Sequence, residues 1–130
     1  MVSSSIRAAL CGAAVACGLA CAHAAAADTG QQKCFFIKDW DGWKAPSTDV
    51  LYLKVHRAIY RVDLSSGSDL LDAPDMKLIS RFPGNSSVCI ASDLDLTLID
   101  GHGYRQALIA RRITRLSPEE AAAIPPKFRP

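Results

Sequence analysis

Asp93 and Asp95, two residues apart and followed by Thr97, are the side chains in this sequence best suited to chemistry. Carboxylates can act as nucleophiles or as general acids and bases. The apolar run at 88–91 precedes the pair and sets it at the end of a strand. The plainer reading is a solvated turn that leads into a strand on which Asp and Leu alternate. His56 and His102 each fall in a predicted turn, and no Cys/His spacing suits zinc. No nucleophile stands beside a base, and no glycine-rich phosphate loop is present. The residues therefore assign no catalytic side chain, no metal and no cofactor.

The segment Asp93-Leu94-Asp95-Leu96-Thr97 resembles the D-x-D-x-T motif of the haloacid dehalogenase superfamily of phosphatases. That resemblance would make Asp93 the phosphorylated nucleophile, Asp95 the acid and base, and Mg²⁺ the cofactor. It covers only this motif. The superfamily builds its site on a doubly wound parallel sheet, with a lysine and a further acidic pair downstream. Here the next lysine is Lys127, and the one acidic pair is Glu119-Glu120. The remaining chain has no room for the helices that join parallel strands. An EF-hand loop starting at Asp93 also fails, because its sixth position is Leu98 and its twelfth is Tyr104.

Strands must position these residues. Leu51, Leu53 and Val55 alternate with Tyr52, Lys54 and His56, and Tyr60, Val62 and Leu64 alternate with Arg61 and Asp63. Period two with β-branched and aromatic residues predicts strands at 50–55 and 58–64, joined by a turn at His56-Arg57. Further strands are expected at 33–38, 77–82, 87–91, 94–99 and 106–116, the last bent near Arg111. The stretch 39–47, with Gly42 and Pro46, reads as a loop. Ser117 caps a short helix, with Pro118 at its first position and Glu120 closing a capping box, and Pro125-Pro126 ends it. The fold class is mainly β: a small antiparallel barrel or sandwich of six or seven short strands with a short C-terminal helix.

The first residues read as an export signal. Arg7 precedes an Ala-rich apolar run at 8–22, too short for the roughly twenty residues of a membrane-spanning helix. Small residues at 22–24 and 25–27 then offer cleavage after Ala24 or Ala27. Leu19-Ala20-Cys21 resembles the end of a bacterial lipoprotein box, although Gly18 stands where such boxes carry Leu. Lipidation of Cys21 is thus the alternative to simple cleavage, and a membrane is a partner only in that case. Residues 25–32 read as a linker and 33–130 as one β-rich domain, periplasmic or secreted.

Removal of 1–24 takes Arg7 as its one charged residue, so 15 basic and 13 acidic residues become 14 and 13. That balance argues against a nucleic-acid partner. Of five cysteines, Cys34 and Cys89 remain, and in an exported chain they suggest one disulfide, worth about 4 kcal/mol on a chain-entropy model. Arg105, Arg111, Arg112 and Arg115 form either a basic strip or a solvated strand face. Trp40 and Trp43 either stack on a sugar or peptide or cover one end of a barrel. A binding face, if present, falls around Trp40, Trp43, His56 and Arg57.

The order Cys34-Phe35, Trp43, Val50-Leu-Tyr-Leu, Tyr60-Arg-Val-Asp-Leu, Val88-Cys89-Ile-Ala-Ser-Asp and the tail Leu116-Ser-Pro-Glu-Glu-Ala-Ala-Ala-Ile-Pro-Pro resembles a domain-of-unknown-function family of small exported proteobacterial proteins. The likeness implies an extracytoplasmic β-rich domain, sometimes on a lipoprotein, and transfers no catalytic residue. Its members often carry four cysteines. The two absent here fall near Gly67-Ser68 and Gln106, and if those two pair with each other in the family, the resemblance implies Cys34–Cys89 as the surviving bridge. The functional expectation is a non-catalytic envelope module that binds or buttresses an envelope partner. The alternatives are the phosphatase above and an inhibitor of a periplasmic hydrolase.

Overall fold

A computed structural model describes residues 33–130. The expected export signal, Cys21 and the expected 25–32 linker lie outside the described residues. The fold is mainly β, with eight strands in antiparallel sheets. They are β1 (Phe35–Phe36), β2 (Trp40–Ser47), β3 (Val50–Val55), β4 (Ala58–Ser66), β5 (Lys77–Ser80), β6 (Ser87–Val88), β7 (Leu96–Ile99) and β8 (Arg105–Arg115). One short helix, α1 (Pro118–Ala123), follows β8. Six strands in the order β2-β3-β4-β8-β7-β5 make a nearly closed barrel, and β1 pairs with β6 alone.

The period-two residues fill the barrel. Leu51, Leu53, Val55, Tyr60, Val62 and Leu64 are buried, while Lys54 and Arg61 face outward. Burying that many apolar side chains, at about 1.5–3 kcal/mol each, is what holds so small a fold. Val55 pairs with Ala58, so His56-Arg57 is a two-residue turn. His56 adopts φ 52° there. Histidine enters the left-handed region more readily than most residues, and this lets the turn form without glycine. The capping box at Ser117 is present: its hydroxyl accepts from the Glu120 N–H, and the Glu120 carboxylate accepts from the Ser117 N–H.

Three expectations are corrected. The stretch 39–47 is not a loop, because β2 runs through it. As an outer strand it needs only one partner, and its ladder to β3 shifts register around Asp41 and again around Ala45-Pro46. Bulges of that kind accommodate glycine and a proline that lacks an N–H. The expected strand at 94–99 is Leu96–Ile99 only, because Leu94 is helical and Asp95 has φ 38°. The expected strands at 33–38 and 87–91 shrink to the two-residue β1 and β6. Each is succeeded within a few residues by a 3-10 turn, Ile37–Asp39 and Ala91–Asp93.

Candidate functional site

Asp93 and Asp95 are committed to the backbone and to a neighbour. The Asp93 carboxylate accepts from the N–H groups of Cys89 (2.9 Å) and Ile90 (3.0 Å), and these bonds hold its pKa below the usual carboxylate range. Asp95 receives Arg81 in a fork, with Nη2 at 2.9 Å and Nε at 3.1 Å. Thr97 is buried in β7 opposite Ile79. The motif therefore shapes a turn. Among the described residues, no three His, Cys, Asp or Glu side chains gather as a metal site would require.

Cys34 and Cys89 form a disulfide. Around it the 33–39 and 83–90 segments close one end of the barrel. Phe35 pairs with Val88, and the Ile37 and Lys38 N–H groups donate to the carbonyls of Ser86 (3.0 Å) and Gly84 (2.8 Å). Phe35 packs beneath, its ring centroid 4.7 Å from that of Tyr60. The Tyr60 hydroxyl donates to the Lys33 carbonyl at 2.9 Å, and burial pushes its pKa up against the opposing pull of Arg115.

The other distinctive region is the seam of the barrel, where β2 and β5 fail to pair. The 3-10 turn Asp69–Asp72 and the C-terminal turn Pro126–Phe128 both pack against β2. They leave a groove of about 610 Å³ along the strand, with Trp43, Ala45, Leu71, Met76 and Phe128 as its apolar lining. Lys44, Asp69, Asp72 and Lys127 supply charge, and the Lys127 ammonium lies 4.4 Å from the Phe128 ring centroid.

The sequence-predicted binding face is divided. Trp40 lies beside Val55, close to the His56-Arg57 turn, and its indole N–H donates to the Gly42 carbonyl at 2.8 Å. His56 Nε2 lies 3.6 Å from an Asp39 carboxylate oxygen. Trp43 belongs to the seam instead. Both tryptophans pack against the core. Sequence reading missed Leu71, Met76, Lys127 and Phe128. A signal was available in the aromatic residue just after the Pro125-Pro126 stop, but nothing local showed that it returns to β2.

The places where the resemblance puts two absent cysteines are neighbours in space. Gln106 Nε2 donates to the Gly67 carbonyl at 3.2 Å. Gly67 itself has no room for a side chain, because a Cβ there would collide with the Thr48 carbonyl. Ser68 is the position of the two that can carry one.

Comparison with family models, with curated proteins and with solved structures returns no match. The class this geometry defines is a small antiparallel β-barrel with a disulfide-closed end and an open seam.

Proposed function

We propose that the protein is a non-catalytic binding module of the cell envelope, stabilised by its disulfide, with the seam groove as its ligand site. The observation that carries this reading is the groove itself. It is a concave surface along the free edge of β2, in which Trp43, Met76 and Phe128 stand among the hydroxyl and charged groups of Thr48, Asp69, Asp72 and Lys127, a lining suited to a polar ligand with an apolar group to anchor. The disulfide supports a non-reducing compartment. The bulges and Pro46 on β2 blunt that edge against strand addition, so recognition falls to side chains rather than to a backbone ladder. Trp43 and Phe128 are its natural anchors.

The test is photo-crosslinking in the native cell, with a benzophenone side chain in place of Lys127 in the groove or of Lys38 at the closed end. Adducts at position 127 that vanish with Trp43→Ala, and none at position 38, are the expected result. Equal yields at both positions, or yields indifferent to Trp43, would overturn the assignment.

A further inference from the structure

The near-neutral charge of the whole chain hides a segregation. β8 carries Arg105, Arg111, Arg112 and Arg115 and no acid. All four are exposed, and among the described residues none is engaged in an ion pair. The nearby acids are already occupied. Asp63, opposite Arg112, takes Arg61 at 2.9 Å. Glu120, which shares a cleft with Arg112, accepts the Ser117 N–H. Asp100, past the other end of the strand, accepts the N–H groups of His102 and Tyr104. Lys77 lies in the same cross-strand row as Arg105 and adds a further cation.

A bulge concentrates this charge. Leu108 and Ile113 point into the barrel, and the ladder to β4 shifts register where Ala110 meets Leu64 and Arg112 meets Asp63. Regular alternation would bury one of two successive residues, but here Arg111 and Arg112 are both exposed. Between Arg105 and this pair stands Ile109, 59% exposed, with Ala107 beside it, also exposed. The strip thus reads cation, apolar centre, cations from Arg105 to Arg112, over seven residue steps or about 23 Å, while Arg115, opposite buried Tyr60, lies on the other face of the strand.

A lone exposed isoleucine needs no explanation. One set between unpaired arginines on a single strand face does. Guanidinium groups bind phosphate through a fork of donors. An apolar side chain gains nothing from a soluble polyanion, but it gains by entering the headgroup boundary of a bilayer. We infer that the outer face of β8 docks on a membrane bearing anionic phospholipid headgroups. This attachment needs no lipid on Cys21, and no helix of the described residues is long and apolar enough to span the bilayer.

The test is co-sedimentation of the full chain with phosphatidylcholine vesicles containing about one-third phosphatidylglycerol, against pure phosphatidylcholine. Binding to the anionic vesicles alone is expected, lost as salt shrinks the Debye length from about 10 Å to about 3 Å. Arg111→Gln with Arg112→Gln weakens it about 25-fold, taking about fivefold for each cation near the surface. Ile109→Ser weakens it too but leaves the salt dependence unchanged. Thermal melts confirm that each variant is folded, and Arg105→Gln with Lys77→Gln, clear of the bulge, replaces the first pair if that one does not fold. Absence of binding to anionic vesicles at low salt overturns the inference. So does binding that survives both pairs of substitutions, or binding to soluble polyphosphate without binding to vesicles. None of these results bears on crosslinking at position 127, so the seam assignment stands or falls separately.

Discussion

The closed end and the seam of the barrel solve opposite problems with the same strand architecture. At the closed end, segments with barely two ladder pairs between them are fixed by a covalent bond, two further backbone bonds and a buried phenylalanine. At the seam, two outer strands do not pair, turns from elsewhere in the chain pack against β2, and a groove remains. Constraint gathers where the polypeptide has least regular structure to offer. The better-formed β2 is left with a free edge. The difference teaches that the disulfide serves the fold, and that the surface free to meet a partner lies where cross-strand bonding stops.

Breaking the closed end has the largest expected effect. The bridge spans 55 residues, and on the chain-entropy model its loss costs about 4 kcal/mol. Urea unfolding of Cys34→Ser with Cys89→Ser should show that loss as a lower midpoint, with crosslinking at position 127 retained wherever the domain stays folded. Next in size is a pair of truncations. Phe35→Ala removes a buried ring at the closed end and costs about 3 kcal/mol. Phe128→Ala removes a half-buried ring at the seam and costs about 1 kcal/mol, yet it should abolish the crosslink. Equal destabilisation by the two would erase the distinction between the regions.

The smallest effect concerns pH. Asp93 braces the closed end through the Cys89 and Ile90 N–H groups, and its folded pKa is depressed by them. Asp100 is likewise depressed by the N–H groups of His102 and Tyr104. A group whose folded pKa lies below its unfolded value of about 4 stabilises fully above that value, and its contribution is lost as pH falls through the folded pKa. Urea midpoints should therefore drop below about pH 4. Asp93→Asn should start from a lower midpoint at neutral pH and lose less on acidification.

Much of the barrel was legible in the sequence. Period two in β3 and β4 exposed the central hairpin, and the Ser117 capping box gave the start of the helix to the residue, because both signals are local. β2 was not legible. Its Gly42 and Pro46 mark a loop in an isolated stretch, and only its place at the sheet edge makes them tolerable. The turn at Asp93 was legible, but its length was not: alternating Asp and Leu looks like a strand from Leu94 onward, whereas Asp95 is left-handed and the strand begins only at Leu96. The seam was half legible. Trp43 stood out by type, while Leu71, Met76 and Phe128 join it only through tertiary contacts. The arginines of β8 were visible as a set. A bend near Arg111 was legible too, but not that it turns Arg111 and Arg112 outward in succession.

Native-state hydrogen exchange on the oxidised protein tests the contrast between the two regions most directly. The Ile37 and Lys38 amides, bonded across the closed end at 3.0 and 2.8 Å, should exchange only through global unfolding. The Leu71 and Met76 amides, bonded at 3.3 Å within the seam wall, should exchange through local opening and therefore faster. Reduction should move Ile37 and Lys38 into the fast group. Seam amides that exchange more slowly than those of the closed end, or closed-end amides indifferent to reduction, would contradict the account.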